Sequence, residues 1–226
     1  MSVLDNLNEI ESNINEACKR SSRNRSEITL IAVTKYVTIE QTEEVFHSGL
    51  YHLAENRVEG FQKKHEALTS DAINWHYVGE LQSRKVKKII DDVDYFHALD
   101  RASVAKEINK RASQPINCFV QVNVSGEESK SGQTPEDTIP FIKSLEHYPN
   151  VKIVGLMTMA PYTNDQSVLR QTFKDLRKLR DDVKALDLSH APCDFLSMGM
   201  SNDYTIAIEE GATHIRIGSE LVKPER

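Results

Sequence analysis

The sequence has few cysteines and no long hydrophobic run. Its three cysteines, Cys18, Cys118 and Cys193, stand far apart in 226 residues and form no CxxC pair. This pattern indicates a reducing compartment, where cysteine acts as a small buried apolar residue rather than as a disulfide partner. No apolar stretch approaches the roughly 18 residues of a membrane span, and the N-terminal residues have no signal-peptide core. We therefore expect a cytoplasmic protein with no membrane partner.

Positive charge and nucleotide motifs are also scarce. The 28 lysines and arginines are outnumbered by 34 acidic residues, giving a net charge of -6, which argues against a nucleic-acid partner. No GxGxxG or P-loop pattern occurs, so a nucleotide cofactor has no support. The eight histidines include no HxH or HExxH pair, and we expect no metal site. What remains is an ordinary globular composition, with 39% hydrophobic and 27% charged residues.

Short apolar runs alternate with stretches of helical periodicity along the chain. An amphipathic pattern with Leu7, Ile10 and Ile14 on one face predicts an N-terminal helix over 2–22. Eight strands are then expected, at 28–33, 51–54, 74–79, 93–99, 117–124, 151–159, 194–199 and 213–218. The helices between them are expected at 39–48, 57–68, 82–91, 101–113, 135–147, 165–186 and 202–210.

Alternation of this kind requires parallel strands joined by crossover connections. A doubly wound open sheet would also fit, but eight units without a glycine-rich first turn favour a (β/α)8 TIM barrel. We expect a single α/β domain over 1–226. The extra N-terminal helix lies within 1–25 and the barrel spans 28–222.

In such a barrel the functional side chains follow the carboxyl ends of the strands. After predicted strand seven the chain reads SMGMSND, and after strand eight it reads RIGSE. Small residues and capping side chains leave backbone N–H groups available for an anion, and these two loops are the usual phosphate site of the fold. A lone glycine is more often only a turn residue, but two Gly/Ser pairs favour phosphate. The expected binding residues here are Met200, Ser201, Gly218 and Ser219.

Two cations at strand ends suggest what carries the phosphate. Lys35 follows the apolar run LIAV, and a lysine whose stem is desolvated forms Schiff bases with aldehydes, although most lysines in such positions are simply solvated. A Schiff-base lysine facing a phosphate site describes a pyridoxal 5'-phosphate pocket or, equally, a class I aldolase. Arg216 faces the same side of its strand as Gly218. It either pairs with a buried carboxylate or donates to a pyridine nitrogen, and the second role favours pyridoxal phosphate.

Most of the chain, from about 28 to 222, resembles the pyridoxal phosphate homeostasis protein family, single-domain relatives of the alanine racemase N-terminal barrel. The resemblance is carried by IAVTKYVTIEQTEEV, AENRVEGFQKKHEAL, WHYVGELQSRKVKKI, FVQVNVSGEESKSG, VGLMTMAPY and LSMGMSNDYTIAIEEGATHIRIGSELV. Glu80 and Arg84 depart from the residues that are frequent in the family at the pocket rim.

The resemblance also implies roles for individual residues. Lys35 matches the family's aldimine lysine, Arg216 its pyridine-nitrogen arginine, and Asn56 an asparagine near the cofactor. The phosphate-binding positions of the family correspond here to Ser201, Gly218 and Ser219.

Two classes of function follow from these expectations. One is a non-catalytic carrier that holds pyridoxal phosphate as a lysine aldimine, buffers it and supplies it to apo-enzymes. The other is an amino-acid racemase or decarboxylase that uses the same lysine. Racemases of this fold need a second domain with a catalytic tyrosine, and the sequence ends at Arg226, soon after the barrel. We therefore expect a monomeric carrier without substantial turnover. A module regulated by cofactor occupancy is a third, weaker alternative.

Overall fold

A computed structural model describes residues 2–222, and its eight strands close into one parallel barrel. Each strand pairs with the next along the chain, and the first also pairs with the eighth, so the sheet has no open edge. This arrangement confirms the predicted (β/α)8 fold. The strands, β1 to β8 in chain order, are Thr29–Val33, His52–Glu55, Asn74–Tyr77, Tyr95–Leu99, Ile116–Gln121, Val151–Met157, Phe195–Met200 and His214–Ile217.

Several helices of the described residues begin where the sequence supplies a capping side chain. Ser2 and Thr38 each form a capping box at the start of their helix, and Thr134 caps the helix that opens with Pro135. Caps of this kind satisfy backbone N–H groups that have no partner within the helix. The helices, α1 to α7, are Val3–Arg20, Ile39–His47, Val58–Ala67, Ala102–Arg111, Pro135–Ser144, Gln166–Lys184 and Tyr204–Glu209.

The prediction of one continuous helix over 82–91 is wrong, because this segment is not α-helical. The structure has two 3₁₀ helices there, Ser83–Lys88 and Ile90–Asp92. Val86 and Ile89 are three residues apart, so they align on one side of a 3₁₀ turn and both are buried. A three-residue apolar spacing fits either helix type, which is why the pattern alone could not separate them.

The N-terminal helix α1 packs against α7 on the side of the barrel. The amide of Asn13 donates to the hydroxyl of Tyr204 over 3.1 Å, and Arg20 forms an ion pair with Glu209 over 2.6 Å. These contacts place the extra helix on the outer side of the barrel, beside α7. Within residues 2–222, every helix is too short or too polar to span a lipid bilayer.

The lower half of the barrel interior is filled by side-chain rings. His97 stacks on Phe119 with ring centres 4.3 Å apart, and His76 stacks on Tyr95 with centres 4.6 Å apart. This packing makes the lower half a solid core and leaves the carboxyl ends of the strands to form a cavity. Beside the cavity lies a small buried apolar cluster of Ile31, Val33 and Ala54.

Candidate functional site

A cavity of about 540 Å³ opens at the carboxyl ends of the strands, where a barrel of this type carries its chemistry. Its volume is typical of sites that hold a small molecule or cofactor. The lining draws on the ends of β1, β2, β7 and β8, so residues distant in sequence meet in one place. It includes every residue expected from the sequence: Lys35, Asn56, Met200, Ser201, Arg216, Gly218 and Ser219.

Lys35 lies at the cavity mouth, in the turn that follows the end of β1 at Val33. Its side chain is exposed, so the desolvated lysine considered from the sequence is not observed. The Nζ atom lies 5.4 Å from the centre of the Tyr36 ring. Tyr36 itself has a φ of 70°, a left-handed conformation that is uncommon outside glycine. The turn therefore leaves the amine open to an aldehyde that enters from solvent.

A buried ion pair lies next to this turn. Lys64 of α3 and Glu55 of β2 have side chains 7% and 3% exposed, and their Nζ and Oε1 atoms are 2.5 Å apart. The same Nζ donates to the backbone carbonyl of Thr34, and the Thr34 hydroxyl donates to Oε1 of Glu55 over 3.2 Å. The pair thus ties β1, β2 and α3 together at the residue before Lys35. Sequence patterning missed it, because KKHEAL looks like the exposed face of a helix.

Arg216 projects from β8 into the cavity floor and is only 5% exposed. Its two terminal nitrogens donate to the hydroxyl of Ser197 and to the backbone carbonyl of Thr158. Both acceptors are neutral, and Arg216 forms no ion pair with any residue of the described chain. Burial lowers the pKa of Arg216 to about 10, although the charge of Asp203 opposes that shift. Arg216 is therefore a cation at neutral pH, and the alternative of a buried Arg–carboxylate pair is not observed.

Asn56 follows β2 and supplies a polar atom that lacks a partner. Its Oδ1 atom is buried and accepts no hydrogen bond from residues 2–222. The backbone beside it is held firmly, because the hydroxyl of Tyr77 donates to the Asn56 carbonyl and a Cβ atom on Gly79 would lie 2.1 Å from that oxygen. A buried acceptor without a donor costs about 1–3 kcal/mol, so such an atom in a cavity marks a place for a ligand donor.

The loop after β7 differs in detail from the prediction. Asp203 precedes α7 as expected of a cap, but its side chain makes no capping bond to the helix. It accepts instead the N–H of Met200 over 2.6 Å, so that N–H is already satisfied. Burial raises the pKa of the Asp203 carboxyl, while the Met200 N–H and the charge of Arg216 oppose the rise. The hydroxyls of Ser201 and Ser219 line the same end of the cavity and have no hydrogen-bond partner within residues 2–222.

Part of the lining was not found from the sequence. Gln121 at the end of β5 donates its amide to the backbone carbonyl of Ser131 over 3.1 Å, which holds the loop after β5 against the cavity. Glu80, by contrast, lies at the rim as the family resemblance implied, and it forms an ion pair with Arg101. Strand alternation could have found some of the other unpredicted lining residues, among them Val78, Gly79, Met157 and Met159.

The groups in this cavity fit a small anionic aldehyde with a ring atom that accepts a hydrogen bond. An accessible amine stands at the mouth, a buried cation with neutral partners stands at the floor, and two hydroxyls stand beside a glycine at the far end. An amine of this kind can form an imine, and the hydroxyls can donate to a phosphate.

Comparison with known proteins identifies the class to which this site belongs. The family model described as "Alanine racemase, N-terminal domain" matches residues 6–224. The alanine racemase of Clostridium difficile 630 has the same fold, with a TM-score of 0.77 at 13% identity over 97% of this chain and 56% of the racemase. Fold and site together define a barrel of the alanine racemase N-terminal class.

Closer relatives narrow the class. A pyridoxal phosphate homeostasis protein of Aquifex aeolicus is 40% identical over 98% of this chain and 97% of its own length. PipY of Synechococcus elongatus PCC7942, solved with PLP bound, superposes with a TM-score of 0.83 at 28% identity, covering 97% of this chain and 99% of that chain. The chain belongs to the pyridoxal phosphate homeostasis protein family, which confirms the resemblance found in its sequence.

Proposed function

We propose that the protein binds pyridoxal 5'-phosphate in this cavity as an aldimine of Lys35, buffers it and supplies it to apo-enzymes. The observation that carries the proposal is the pairing, in one cavity, of an accessible lysine with a buried arginine whose partners are neutral. The name of the Aquifex aeolicus relative and the PLP bound to PipY support it. A cytoplasmic monomer is part of the same proposal.

The remaining residues of the cavity fit this cofactor. Ser201 and Ser219 can donate hydroxyl hydrogens to a phosphate, and Gly218 leaves room for it beside them. Asn56 can turn its unpaired amide toward a polar substituent of the ring. Charge-assisted bonds to a phosphate are stronger than bonds between neutral groups, so the serine end should contribute much of the affinity.

Arg216, together with the lack of a buried acid or base facing Lys35 among the described lining residues, favours a carrier over an enzyme. When bound, pyridoxal phosphate supplies an aldehyde and a ring that withdraws electrons most strongly when its nitrogen is protonated. A guanidinium has no acceptor, so Arg216 would donate a hydrogen bond to that nitrogen and would leave it unprotonated. Among the described lining residues, Glu80 is engaged with Arg101, and Tyr36 is 62% exposed. Neither is a buried acid or base that faces Lys35.

Turnover measurements separate the carrier from an amino-acid racemase or decarboxylase. Purified protein is loaded with pyridoxal phosphate, loading is checked by visible absorbance, and a panel of L- and D-amino acids is followed by chiral chromatography. We expect rates close to those of free pyridoxal phosphate, and the same rates for Lys35→Ala incubated with the cofactor. Turnover of any amino acid above about 1 per second would identify the protein as an enzyme instead.

A further inference from the structure

Three histidines and a serine form a continuous chain of hydrogen bonds through the barrel core. The Ser197 hydroxyl accepts from Arg216 and lies 2.8 Å from Nδ1 of His97. Nε2 of His97 lies 2.8 Å from Nδ1 of His76, and Nε2 of His76 lies 2.9 Å from Nδ1 of His52. The chain thus runs from the cavity floor to the first residue of β2, at the opposite end of the barrel.

The proton positions in this chain follow from its arginine end. Arg216 can only donate, so Ser197 Oγ accepts from it. The hydroxyl hydrogen of Ser197 then needs an acceptor, because the residue is fully buried. Within the described chain the atom available to accept it is Nδ1 of His97. A neutral imidazole that accepts at Nδ1 carries its hydrogen on Nε2, from which it donates to the next ring.

Repeating that step gives one proton arrangement for all three rings. His97 donates from Nε2 to Nδ1 of His76, and His76 donates from Nε2 to Nδ1 of His52. Each ring is then neutral with its hydrogen on Nε2. The opposite arrangement, with hydrogens on Nδ1, would leave the buried Ser197 hydroxyl hydrogen without an acceptor.

The surroundings keep the two inner rings neutral and fixed. His76 and His97 are fully buried. Burial, and the neighbouring histidines, lower the pKa of each ring well below its usual value. The stacking on Tyr95 and Phe119 sets the ring planes that the hydrogen bonds require.

We propose that Ser197, His97, His76 and His52 form a directional relay that positions the Arg216 guanidinium at the cavity floor without a direct ion pair. A carboxylate in place of Ser197 would hold the arginine but would also neutralise it. A chain of neutral groups, each polarised by the next, holds the guanidinium while leaving its positive charge to act on the cavity. The role of this charge in binding a cofactor rests on the proposed function, whereas the hydrogen-bonded relay does not depend on it.

Nitrogen NMR tests the relay directly. The full-length protein is labelled with ¹⁵N-histidine, and the tautomer of each ring is assigned from its two nitrogen shifts, with and without pyridoxal phosphate. We expect His52, His76 and His97 to carry hydrogen on Nε2 in both samples at pH 7.5. Hydrogen on Nδ1 of His76 or His97, or a doubly protonated ring at either position, would overturn the proposal.

Substitution of the serine tests what the relay does for Arg216. Ser197→Ala removes the group that joins the arginine to His97, so the His97 nitrogen shifts should change and pyridoxal phosphate should bind about tenfold more weakly or worse. Cys118→Ala removes a side-chain heteroatom of another fully buried strand residue and serves as the matched control, in which neither property should change.

The outcomes of these two experiments test the relay and the proposed function separately. Unchanged shifts and affinity in a folded Ser197→Ala protein would reject the relay. Failure of the wild-type protein to bind pyridoxal phosphate while all three rings carry hydrogen on Nε2 would reject the proposed function and leave the hydrogen-bond direction established. If Ser197→Ala does not fold, the wild-type tautomers still decide the direction.

Discussion

Ser201 and Ser219 place hydroxyl groups on neighbouring loops at one end of the cavity, after β7 and β8. Neither hydroxyl is engaged elsewhere in the described chain, so both can turn toward an anion. The nearby Met200 N–H is already bonded to Asp203. We infer that the two serine side chains, rather than the Met200 backbone, supply the discriminating contacts to phosphate.

Replacing both serines should weaken binding of the phosphorylated cofactor specifically. Each hydrogen bond to a charged group contributes roughly 1.5–3 kcal/mol, so Ser201→Ala with Ser219→Ala should raise the Kd for pyridoxal phosphate by about two powers of ten or more. Equilibrium dialysis measures this, with Ser144→Ala as a control on an exposed helix serine. Pyridoxal without phosphate should bind poorly to the wild-type protein. Equal affinity for the two compounds would show that the anion site is elsewhere.

At the scale of elements, the buried pair of Lys64 and Glu55 joins a helix to two strands. Such a pair is poor evidence of net stabilisation when both members are present, because each charge loses its hydration. Its geometry nevertheless makes it a strong constraint, since the Lys64 ammonium also holds the Thr34 carbonyl. The turn that carries Lys35 therefore depends on α3.

Removing only Lys64 of this pair should destabilise the protein strongly. Lys64→Met leaves the Glu55 carboxylate buried without its cation, and we expect the free energy of unfolding to fall by about 3–5 kcal/mol. Lys85→Met is the matched control, because it breaks the exposed pair of Lys85 with Glu59 and should leave the free energy of unfolding nearly unchanged. Urea denaturation followed by circular dichroism gives both values.

A double variant checks the cause of that loss. If the uncompensated charge is responsible, Glu55→Gln together with Lys64→Met should be more stable than Lys64→Met alone. An equal or larger loss in the double variant would mean that packing of the lysine stem, not charge, decides the stability.

The alternation of strands and helices made the barrel predictable, because about eight strands with helices between them can form only a few parallel arrangements. The site was predictable where a residue lies on or just after a strand, as Arg216 and Ser219 do. Tertiary contacts were not predictable from the sequence. Loop conformation decides which residue pairs with Lys64, why the Asp203 carboxylate turns away from its helix, and why Lys35 is exposed. Local patterns contain no information about such contacts.

For the whole molecule, the ring-filled core should make stability depend on pH. Burial lowers the pKa of His76 and of His97 well below the usual value, and it lowers the pKa of His214 to about 3. Such groups bind protons more readily in the unfolded chain. Their contribution to stability is therefore present above about pH 6.5, the usual histidine value, and is lost as the pH falls below it.

The free energy of unfolding should fall steeply as the pH is lowered below about 6.5. Each histidine that stays neutral in the fold removes up to about 1.4 kcal/mol per pH unit below that value. Burial raises the pKa values of Asp203 and Glu220, so these carboxyls act in the opposite sense and reduce the slope. Urea denaturation at pH 7.5, 6.0 and 5.0 should show a falling free energy of unfolding. The same value at pH 7.5 and 5.0 would contradict the neutral core.

The covalent attachment of the cofactor to Lys35 is the central claim, and chemical trapping tests it most directly. The protein is incubated with pyridoxal phosphate, reduced with borohydride, digested and analysed by peptide mass spectrometry. We predict the phosphopyridoxyl group on Lys35 as the dominant product in the wild-type protein and in Lys110→Ala, an exposed helix lysine, and its loss in Lys35→Ala. Labelling spread over several lysines, or unchanged in Lys35→Ala, would contradict the account.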